Sequence, residues 1–273
     1  MKNSLLVVIF TSFFILPSCV DEDSENPVFR LNEFNSGYAQ SDRSRAFPFP
    51  NSEIGSSLSH CCMVEYKNGK VSKVIHKNAV SRPLLLTGGL KSQGIDTYHN
   101  FFYKGNLVTL ISGVDSKEVV FKPEEIQLTL DVKGNLIKRI NCQLNDTTDY
   151  FYSDNGLLSK SVSSNGGYSK VTRFFYFDSN KNLVRINGEI DNGWGYKYFV
   201  FEYFEEYDTA INGFKNLGII EGAFIRSLSQ NNFNVYACAT YDGESTLLDT
   251  MRITLPIDYD ENGYPIYGDC SNK

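Results

Sequence analysis

The sequence is short of the residues on which several common enzyme activities depend. Its 273 residues include three histidines, three methionines and one tryptophan. The histidines, His60, His76 and His99, stand apart and show no His-Glu-x-x-His spacing, so the sequence contains no zinc-hydrolase motif. It also lacks a Gly-x-Ser-x-Gly elbow, a phosphate-binding glycine loop and a dinucleotide fingerprint. These absences predict no catalytic residue, no metal site and no cofactor.

Positive charge is also in short supply. The chain has 26 Lys and Arg against 32 Asp and Glu, which gives a net charge of -6. A chain with this balance presents no basic footprint for phosphate backbones, so we expect no nucleic-acid partner. Hydrophobic residues make up 41% of the chain and aromatic residues 14%, which is too apolar for a disordered protein. The composition therefore predicts a folded body with a packed core.

The most extended apolar run lies at the start of the chain. Residues 5–16 are mostly apolar, follow Lys2 and are too short for a comfortable transmembrane span, a pattern typical of a secretory signal. The next residues complete Leu16-Pro17-Ser18-Cys19, which resembles the lipobox of bacterial lipoproteins. That resemblance implies removal of residues 1–18 and acylation of Cys19, whose acyl chains would be the membrane partner. The alternative is plain secretion, with Cys19 lost or unmodified.

The segment after Cys19 is acidic and has little apolar periodicity. Asp21-Glu22-Asp23-Ser24-Glu25 resembles the acidic export signal of Bacteroidetes lipoproteins, which directs them to the outer leaflet. A solvated spacer is the alternative. We interpret residues 19–58 as a tether and lead-in segment, and we predict a lipid-anchored protein of the outer membrane, exposed on the cell surface.

Residues 59–273 are predicted to form one domain of serial β-hairpins. A short aromatic or β-branched run, a polar turn with Gly or Asn and a second apolar run recur along this part of the chain. Asn and Gly tolerate the positive φ of tight turns. No window shows clear helical spacing, and the nearest candidate is a short one at about residues 219–228. We expect an all-β fold, a single rolled antiparallel meander with a barrel-like or half-barrel sheet and minor helix.

Several motifs of this domain resemble a known family. They are the Tyr-x-Asp-x-x-Gly character of the repeats, the segment 206–212 after an aromatic strand and the segment 257–265. Together they resemble a family of Bacteroides lipoproteins that carries a domain of unknown function with a porin-like antiparallel β fold. The resemblance covers residues 60–268. It implies a fold, and it brings no catalytic residues with it.

The cysteines of the domain are odd in number. Cys61, Cys62, Cys142, Cys238 and Cys270 cannot all pair within one chain, so at least one thiol is unpaired in a monomer. Cys61 and Cys62 are neighbours that point to opposite faces of a strand, and we expect them to have different partners. The pairing itself stays open.

The C-terminal acidic stretch has two interpretations. Asp258-Tyr259-Asp260-Glu261-Asn262-Gly263, with Asp269 at the twelfth position, satisfies acidic positions of a calcium loop. The residues before it are strand-like and Pro265 interrupts it, whereas a calcium loop of this type follows a helix. We favour a final hairpin turn.

A binding role has better support than catalysis. Trp194 stands between two glycines and is followed by Tyr196 and Tyr198 at strand spacing, a set that can stack on sugar rings or anchor a protein interface. Cross-strand packing of the same rings is the alternative. We predict non-catalytic binding or envelope interaction, with a glycan or a protein as ligand. The alternatives are a surface glycan hydrolase, for which Glu202, Glu205 and Glu206 are the candidates, and a structural spacer or assembly component.

Overall fold

The computed structural model describes residues 30–35, 61–80, 95–114, 123–166 and 169–267. Fourteen strands form one sheet in which every strand pairs with its neighbours along the chain, always antiparallel. They are β1 (Glu33–Asn35), β2 (Cys61–Lys67), β3 (Lys70–Val80), β4 (Ile95–Lys104), β5 (Leu107–Val114), β6 (Glu125–Leu130), β7 (Leu136–Asn141), β8 (Asp146–Tyr152), β9 (Leu158–Asn165), β10 (Ser169–Phe177), β11 (Leu183–Asp191), β12 (Lys197–Tyr207), β13 (Phe233–Asp242) and β14 (Leu247–Thr254).

Two small elements complete the architecture. A separate hairpin pairs β15 (Asp258–Tyr259) with β16 (Pro265–Ile266), and a 3-10 turn (Glu221–Ala223) leads into the one-turn helix α1 (Phe224–Ser227). The predicted all-β hairpin meander with minor helix is confirmed. The described sheet runs from β1 at one edge to β14 at the other and is not closed into a barrel.

Five-residue turns join many of the hairpins. In the β6–β7 turn, the Asp131 carboxylate accepts hydrogen bonds from the backbone N–H groups of Lys133 and Asn135, both at 2.8 Å. The fourth residue, Gly134, has a φ of 84°. The same acceptor position is occupied by Asp178, Asn192, Asp242 and Asp260 in later turns. This turn chemistry explains the Asp-x-x-Gly part of the repeated motif.

In several hairpins, a tyrosine lies at or near the end of the first strand, beside the turn. Its hydroxyl donates to a carbonyl oxygen at or next to the start of a strand of the preceding hairpin. The donors Tyr66, Tyr103, Tyr152 and Tyr207 reach Leu31, Val71, Leu136 and Leu183 at 2.8, 2.9, 2.9 and 2.5 Å, with Leu31 preceding β1. Leu130 and Phe177 occupy the corresponding positions in β6 and β10 and have no hydroxyl. These contacts link successive hairpins through side chains in addition to the strand ladder.

Residues 208–232, between β12 and β13, fold back onto one face of the sheet. We call them the insert segment and the face they cover the inner face. Phe214 and Leu217 are fully buried in a cluster with inner-face residues such as Val108, and Ile225 joins a second cluster with Leu183. The insert segment therefore supplies the hydrophobic core that a single sheet cannot form by itself.

The lead-in segment contributes to the same core. Leu31 and Phe34 are buried, and the Phe34 ring lies 5.1 Å from that of Phe214, edge to face. Part of residues 19–58 is thus strand β1 and its approach. Cys19, the acidic stretch and the predicted signal peptide lie outside the described residues. Within the described ranges, no helix is long and apolar enough to cross a membrane.

Candidate functional site

The turn between β11 and β12 presents two aromatic rings to solvent. Trp194 is 79% exposed and Tyr196 is 64% exposed. The Asn192 side-chain oxygen accepts hydrogen bonds from the backbone N–H groups of both residues, at 3.0 and 3.2 Å. Gly193 and Gly195 take positive φ values of 74° and 89°. The rings therefore project from a turn whose backbone is fixed.

A second exposed apolar pair lies beside this turn. The register of β12 and β13 pairs Tyr198 with Asp242, which places the β13–β14 turn next to the β11–β12 turn. Leu247 and Leu248, just after that turn, are each 52% exposed. We name Trp194, Tyr196, Leu247 and Leu248 the aromatic corner. Tyr198, the third predicted ligand-binding residue, is half-buried within β12, so the corner contains two of the three.

The inner face also carries a cavity of about 280 Å³. Strands β5 to β10 form its wall, and Ile219 and Phe224 of the insert segment close one side. Apolar strand residues such as Leu128 and Phe175 line part of it, and polar strand residues line the rest, among them Arg139, Asp146, Thr148, Ser161, Ser163 and Arg173. We call these six residues the polar cavity set.

The polar cavity set is arranged in two rows by strand register. Arg139 of β7 pairs with Thr148 of β8, which pairs with Ser163 of β9. In the next row, Ser161 of β9 pairs with Arg173 of β10. Arg139, Thr148 and Ser161 are buried at 7%, 8% and 4% exposure. Short hydroxyl side chains thus lie between two long guanidinium side chains.

Internal contacts orient part of this set. Arg139 Nη1 lies 3.3 Å from Asp146 Oδ2, and the hydroxyls of Thr148 and Ser163 are 2.9 Å apart. Among the described residues that line the cavity, Asp146 is the one carboxylate and Arg139 and Arg173 are the two guanidinium groups.

A larger cavity of about 710 Å³ lies on the other side of the insert segment, among the hairpin turns. Ile219 and Phe224 line both cavities, so the insert segment divides the interior in two. Four cationic residues line this turn-end cavity, namely Arg30, Lys70, Lys133 and Lys215, and its described lining contains no carboxylate. Burial and the nearby Lys181 lower the pKa of Lys215.

The structure brings together a cysteine and two histidines that are far apart in sequence. Cys62 Sγ lies 3.2 Å from His76 Nδ1, and the His76 and His99 rings meet edge to face at 5.5 Å. Cys62 is 1% exposed, and burial raises the pKa of its thiol to about 12. A buried neutral thiol is a poor nucleophile, so this cluster has the contacts of a Cys-His pair without its reactivity.

The cysteines of the domain differ in whether they form a disulfide. Cys61 is disulfide-bonded, whereas Cys62, Cys142 and Cys238 are not in disulfides. Cys61 and its neighbour Cys62 therefore have different partners, as expected for adjacent strand residues. Cys270 lies outside the described residues.

The three glutamates considered for glycan hydrolysis do not converge. Glu202 is 5% exposed on the inner face and accepts a hydrogen bond from the Tyr236 hydroxyl at 2.8 Å. Burial and the Glu202 carboxylate raise the pKa of Tyr236. Glu205 is half-buried and Glu206 is exposed, and they lie 2.8 and 3.8 Å from the Arg252 guanidinium. Glu202 therefore has a different partner from Glu205 and Glu206, and the three acids do not flank one cleft.

The C-terminal acidic stretch forms a hairpin turn between β15 and β16. The Asp260 carboxylate accepts hydrogen bonds from the backbone N–H groups of Asn262 and Tyr264 at 2.9 and 2.8 Å. It thus has the role that Asp131 has in its own turn. Within the described ranges, no group of three or more His, Cys, Asp or Glu side chains could hold a metal ion. Asp269 lies outside those ranges.

Sequence reasoning missed the polar cavity set. A partial signal was present in β8, where Thr148 has the same parity as half-buried Tyr150. In β9, a register shift opposite Phe151 and Tyr152 puts Ser161 and Ser163 out of parity with buried Leu158. The convergence of Arg139 and Arg173 on those hydroxyls depends on the register of four strands, which no short motif encodes.

No protein-family model matches the sequence, and no curated protein matches it. Among solved structures, the chain is similar to a porin-like protein from Bacteroides vulgatus ATCC 8482, with 12% sequence identity and a TM-score of 0.42. The similarity covers 76% of this chain and 86% of the other.

Proposed function

We propose that this protein is a lipid-anchored protein of the outer membrane, exposed on the cell surface, that binds glycans without catalysis through the aromatic corner. The observation that carries the binding proposal is the exposure of Trp194 and Tyr196 on a turn fixed by Asn192. The anchoring proposal is supported by the lipobox-like sequence that ends at Cys19.

The two rings contribute little to folding stability while they are exposed, and a ligand that covers them would gain their apolar surface. Aromatic side chains are among the largest apolar surfaces that a protein can bury, and an indole with 79% of its area in water forgoes most of that gain. The turn backbone is already ordered by the Asn192 contacts, so binding does not have to fix it. A preorganised aromatic pair is suited to stacking on sugar rings.

The size of the aromatic corner favours a glycan over a protein. A stable protein interface buries roughly 800 Å² on each partner and about 20 residues. The corner consists of two aromatic residues and two leucines on adjacent turns, which is a much smaller apolar surface. A hydrolase has no comparable support, because Glu202 is separated from Glu205 and Glu206.

A glycan array probed with the purified protein and its Trp194→Ala variant tests the proposal. We expect the variant to lose about tenfold or more of the signal, as expected for removal of a central aromatic contact, and to keep its melting temperature. Phe102→Ala is the matched control, because Phe102 is 53% exposed on β4 at a distance in the sheet order. An unchanged signal, or a loss that follows a fall in melting temperature, contradicts glycan binding at the corner.

The anchor is tested separately in cells. Metabolic labelling with a palmitate analogue is expected to mark the wild-type chain and not Cys19→Ala, and added protease is expected to degrade the protein on intact cells. Labelling that persists in Cys19→Ala would refute acylation at that residue. Protection from protease would refute surface exposure and leave the glycan test unaffected.

A further inference from the structure

We propose that the turn-end cavity is a second binding site, separate from the aromatic corner, which takes an extended polysaccharide chain that contains acidic sugars. The ends of five alternate strands and the insert segment line this cavity. Insert residues such as Ile219 and Leu228 form part of the lining. Each of the five strands contributes one large apolar side chain, and we call this set the end row: Tyr66 of β2, Tyr103 of β4, Leu130 of β6, Tyr152 of β8 and Phe177 of β10.

The end row gives the cavity its length. Its members lie on every second strand, so the strands that carry successive members are about 10 Å apart, and the row from β2 to β10 follows about 38 Å of the sheet. A cavity of about 710 Å³ that extends along this row suits an extended chain better than a compact ligand. The spacing of the row is close to the length of a disaccharide, so every second sugar of a bound chain can meet one side chain of the row.

Four of the five end-row side chains are aromatic, and all four are half-buried. The hydroxyls of Tyr66, Tyr103 and Tyr152 donate to backbone carbonyl oxygens at 2.8, 2.9 and 2.9 Å. These hydrogen bonds fix the rings before a ligand arrives, so binding does not have to order them. Aromatic rings offer apolar surface to the C–H faces of sugars. The end row is therefore a preorganised surface for sugar rings.

The charge of the lining favours an acidic chain over a neutral one. The protein has a net charge of -6, yet the described lining of this cavity contains no carboxylate. Its cationic residues are Arg30, Lys70, Lys133 and Lys215. Within the part of the chain that the structure describes, none of these four forms an ion pair. A cleft lined by charges of one sign concentrates ligands of the opposite sign.

Two of the cations lie beside rings of the end row. The Lys70 ammonium is 5.1 Å from the centre of the Tyr103 ring, and the Arg30 guanidinium is 5.6 Å from that of Tyr66. Lys133 interacts electrostatically with Asp131, whose carboxylate already accepts hydrogen bonds from two backbone N–H groups of its own turn. The cations are thus placed to meet carboxylates of a chain whose sugar rings lie on the end row.

Titration calorimetry on the purified full-length protein tests this site with a hyaluronan hexasaccharide, which has one carboxylate in every second sugar. We expect a Kd of about 0.1 mM or lower. Chitohexaose, a neutral chain of the same length, and the hyaluronan disaccharide, which spans one interval of the row, are each expected to bind at least about tenfold more weakly. No heat with the hexasaccharide at about 1 mM, or equal affinity for either comparison sugar, would overturn the proposal.

A double variant and a matched control locate the binding. Lys70 and Lys133 are exposed, so Lys70→Gln combined with Lys133→Gln is expected to keep the melting temperature and to weaken hexasaccharide binding about fivefold to thirtyfold. Lys170→Gln removes the same charge from an exposed position at the other end of β10 and is expected to leave binding unchanged. Binding that survives the double variant, or that falls equally in Lys170→Gln, refutes the site.

The test is independent of glycan binding at the aromatic corner. Trp194 is not among the residues that line the turn-end cavity, so Trp194→Ala is expected to keep wild-type affinity for the hyaluronan hexasaccharide. The comparison with chitohexaose is made in this variant, which removes the corner as a source of heat. Loss of hexasaccharide binding in Trp194→Ala would assign the acidic chain to the aromatic corner and overturn the cavity site.

Discussion

The tyrosine contacts at the hairpin ends predict a measurable share of the stability of the sheet. Tyr103, Tyr152 and Tyr207 each donate a hydrogen bond to a carbonyl oxygen of the preceding hairpin. Replacing one of them with Phe removes the hydroxyl and keeps the ring. A hydrogen bond of this kind contributes about 1 kcal/mol, and an acceptor left unsatisfied raises the cost. Each single variant is therefore expected to lower the free energy of unfolding by about 1 kcal/mol.

The three losses are expected to add. The donors lie on β4, β8 and β12, four strands apart, so neighbouring sites are separated by about 19 Å along the sheet. Sites more than about 10 Å apart with no shared partner are usually additive. The triple Tyr103, Tyr152 and Tyr207 variant is then expected to lose about 3 kcal/mol. For a chain of this size that corresponds to a fall of roughly 6 to 12 °C in melting temperature.

The sequence offers both a control and a reverse experiment. Tyr196→Phe removes a hydroxyl from an exposed ring and is expected to change the free energy of unfolding by less than about 0.5 kcal/mol. Phe177→Tyr places a hydroxyl at the position in β10 that corresponds to the donors, and is expected to stabilise the protein. Denaturant unfolding measures all of these variants. A triple variant no less stable than Tyr196→Phe would refute the account of linked hairpins.

Three further predictions concern pH, a turn and a close contact. Burial raises the pKa of Tyr103 to about 12, so the folded state holds the phenolic proton more tightly than the unfolded state does. The contribution of this proton to the free energy of unfolding is present below about pH 10 and is lost as the pH rises toward about 12. The melting temperature of Tyr103→Phe is therefore expected to depend less on pH in this range than that of the wild type. Asp178→Ala removes the acceptor of two backbone N–H groups and is expected to lower the free energy of unfolding by about 1 kcal/mol, measured by thermal unfolding. Asp154→Ala in the neighbouring hairpin turn is the control and is expected to leave the free energy of unfolding unchanged. A β-carbon on Gly113 would overlap the Tyr98 ring of the paired strand, so Gly113→Ala is expected to destabilise by about 1 to 3 kcal/mol, and an unchanged melting temperature would contradict that overlap.

The hairpins were predictable because their signals are local. A turn such as Asp131 to Asn135 contains its own acceptor and its own positive-φ residue, and both can be identified within five residues of sequence. Chain order then fixes the sheet, since each strand pairs with the next. The same reasoning predicts the β15–β16 turn at Asp260.

The insert segment was not predictable in the same way. Its helix has four residues, Phe224–Ser227, and no side chain caps its start, so neither length nor capping signals a helix. Phe214 and Leu217 are held in place by contacts with strands that lie far away in sequence. Residues 208–232 therefore take their structure from tertiary packing.

The candidate sites also differ in whether the sequence alone could predict them. Trp194 and Tyr196 were identifiable because both lie in one turn whose residues are consecutive. Cys62 and His76 are 14 residues apart and meet only because β2 and β3 pair in that register. Arg139 and Arg173 require three successive registers to share a cavity. A site built across strands is specified by pairing, which single-sequence patterns do not reveal.

The inner face changes from aliphatic to mixed polar lining along the strands. At the turn end, the second strand of several hairpins has a buried aliphatic residue at its first or second position. These residues, Val108, Leu136, Leu158 and Leu183, pack with the insert segment and with one another. Further along the same strands, β7 to β10 replace aliphatic residues with the polar cavity set. A fold under selection for stability alone has no reason to keep Ser161 at a buried position where a larger apolar side chain would fill the cavity. The aliphatic positions at the turn end can therefore hold the sheet and the insert segment together without a contribution from these polar positions.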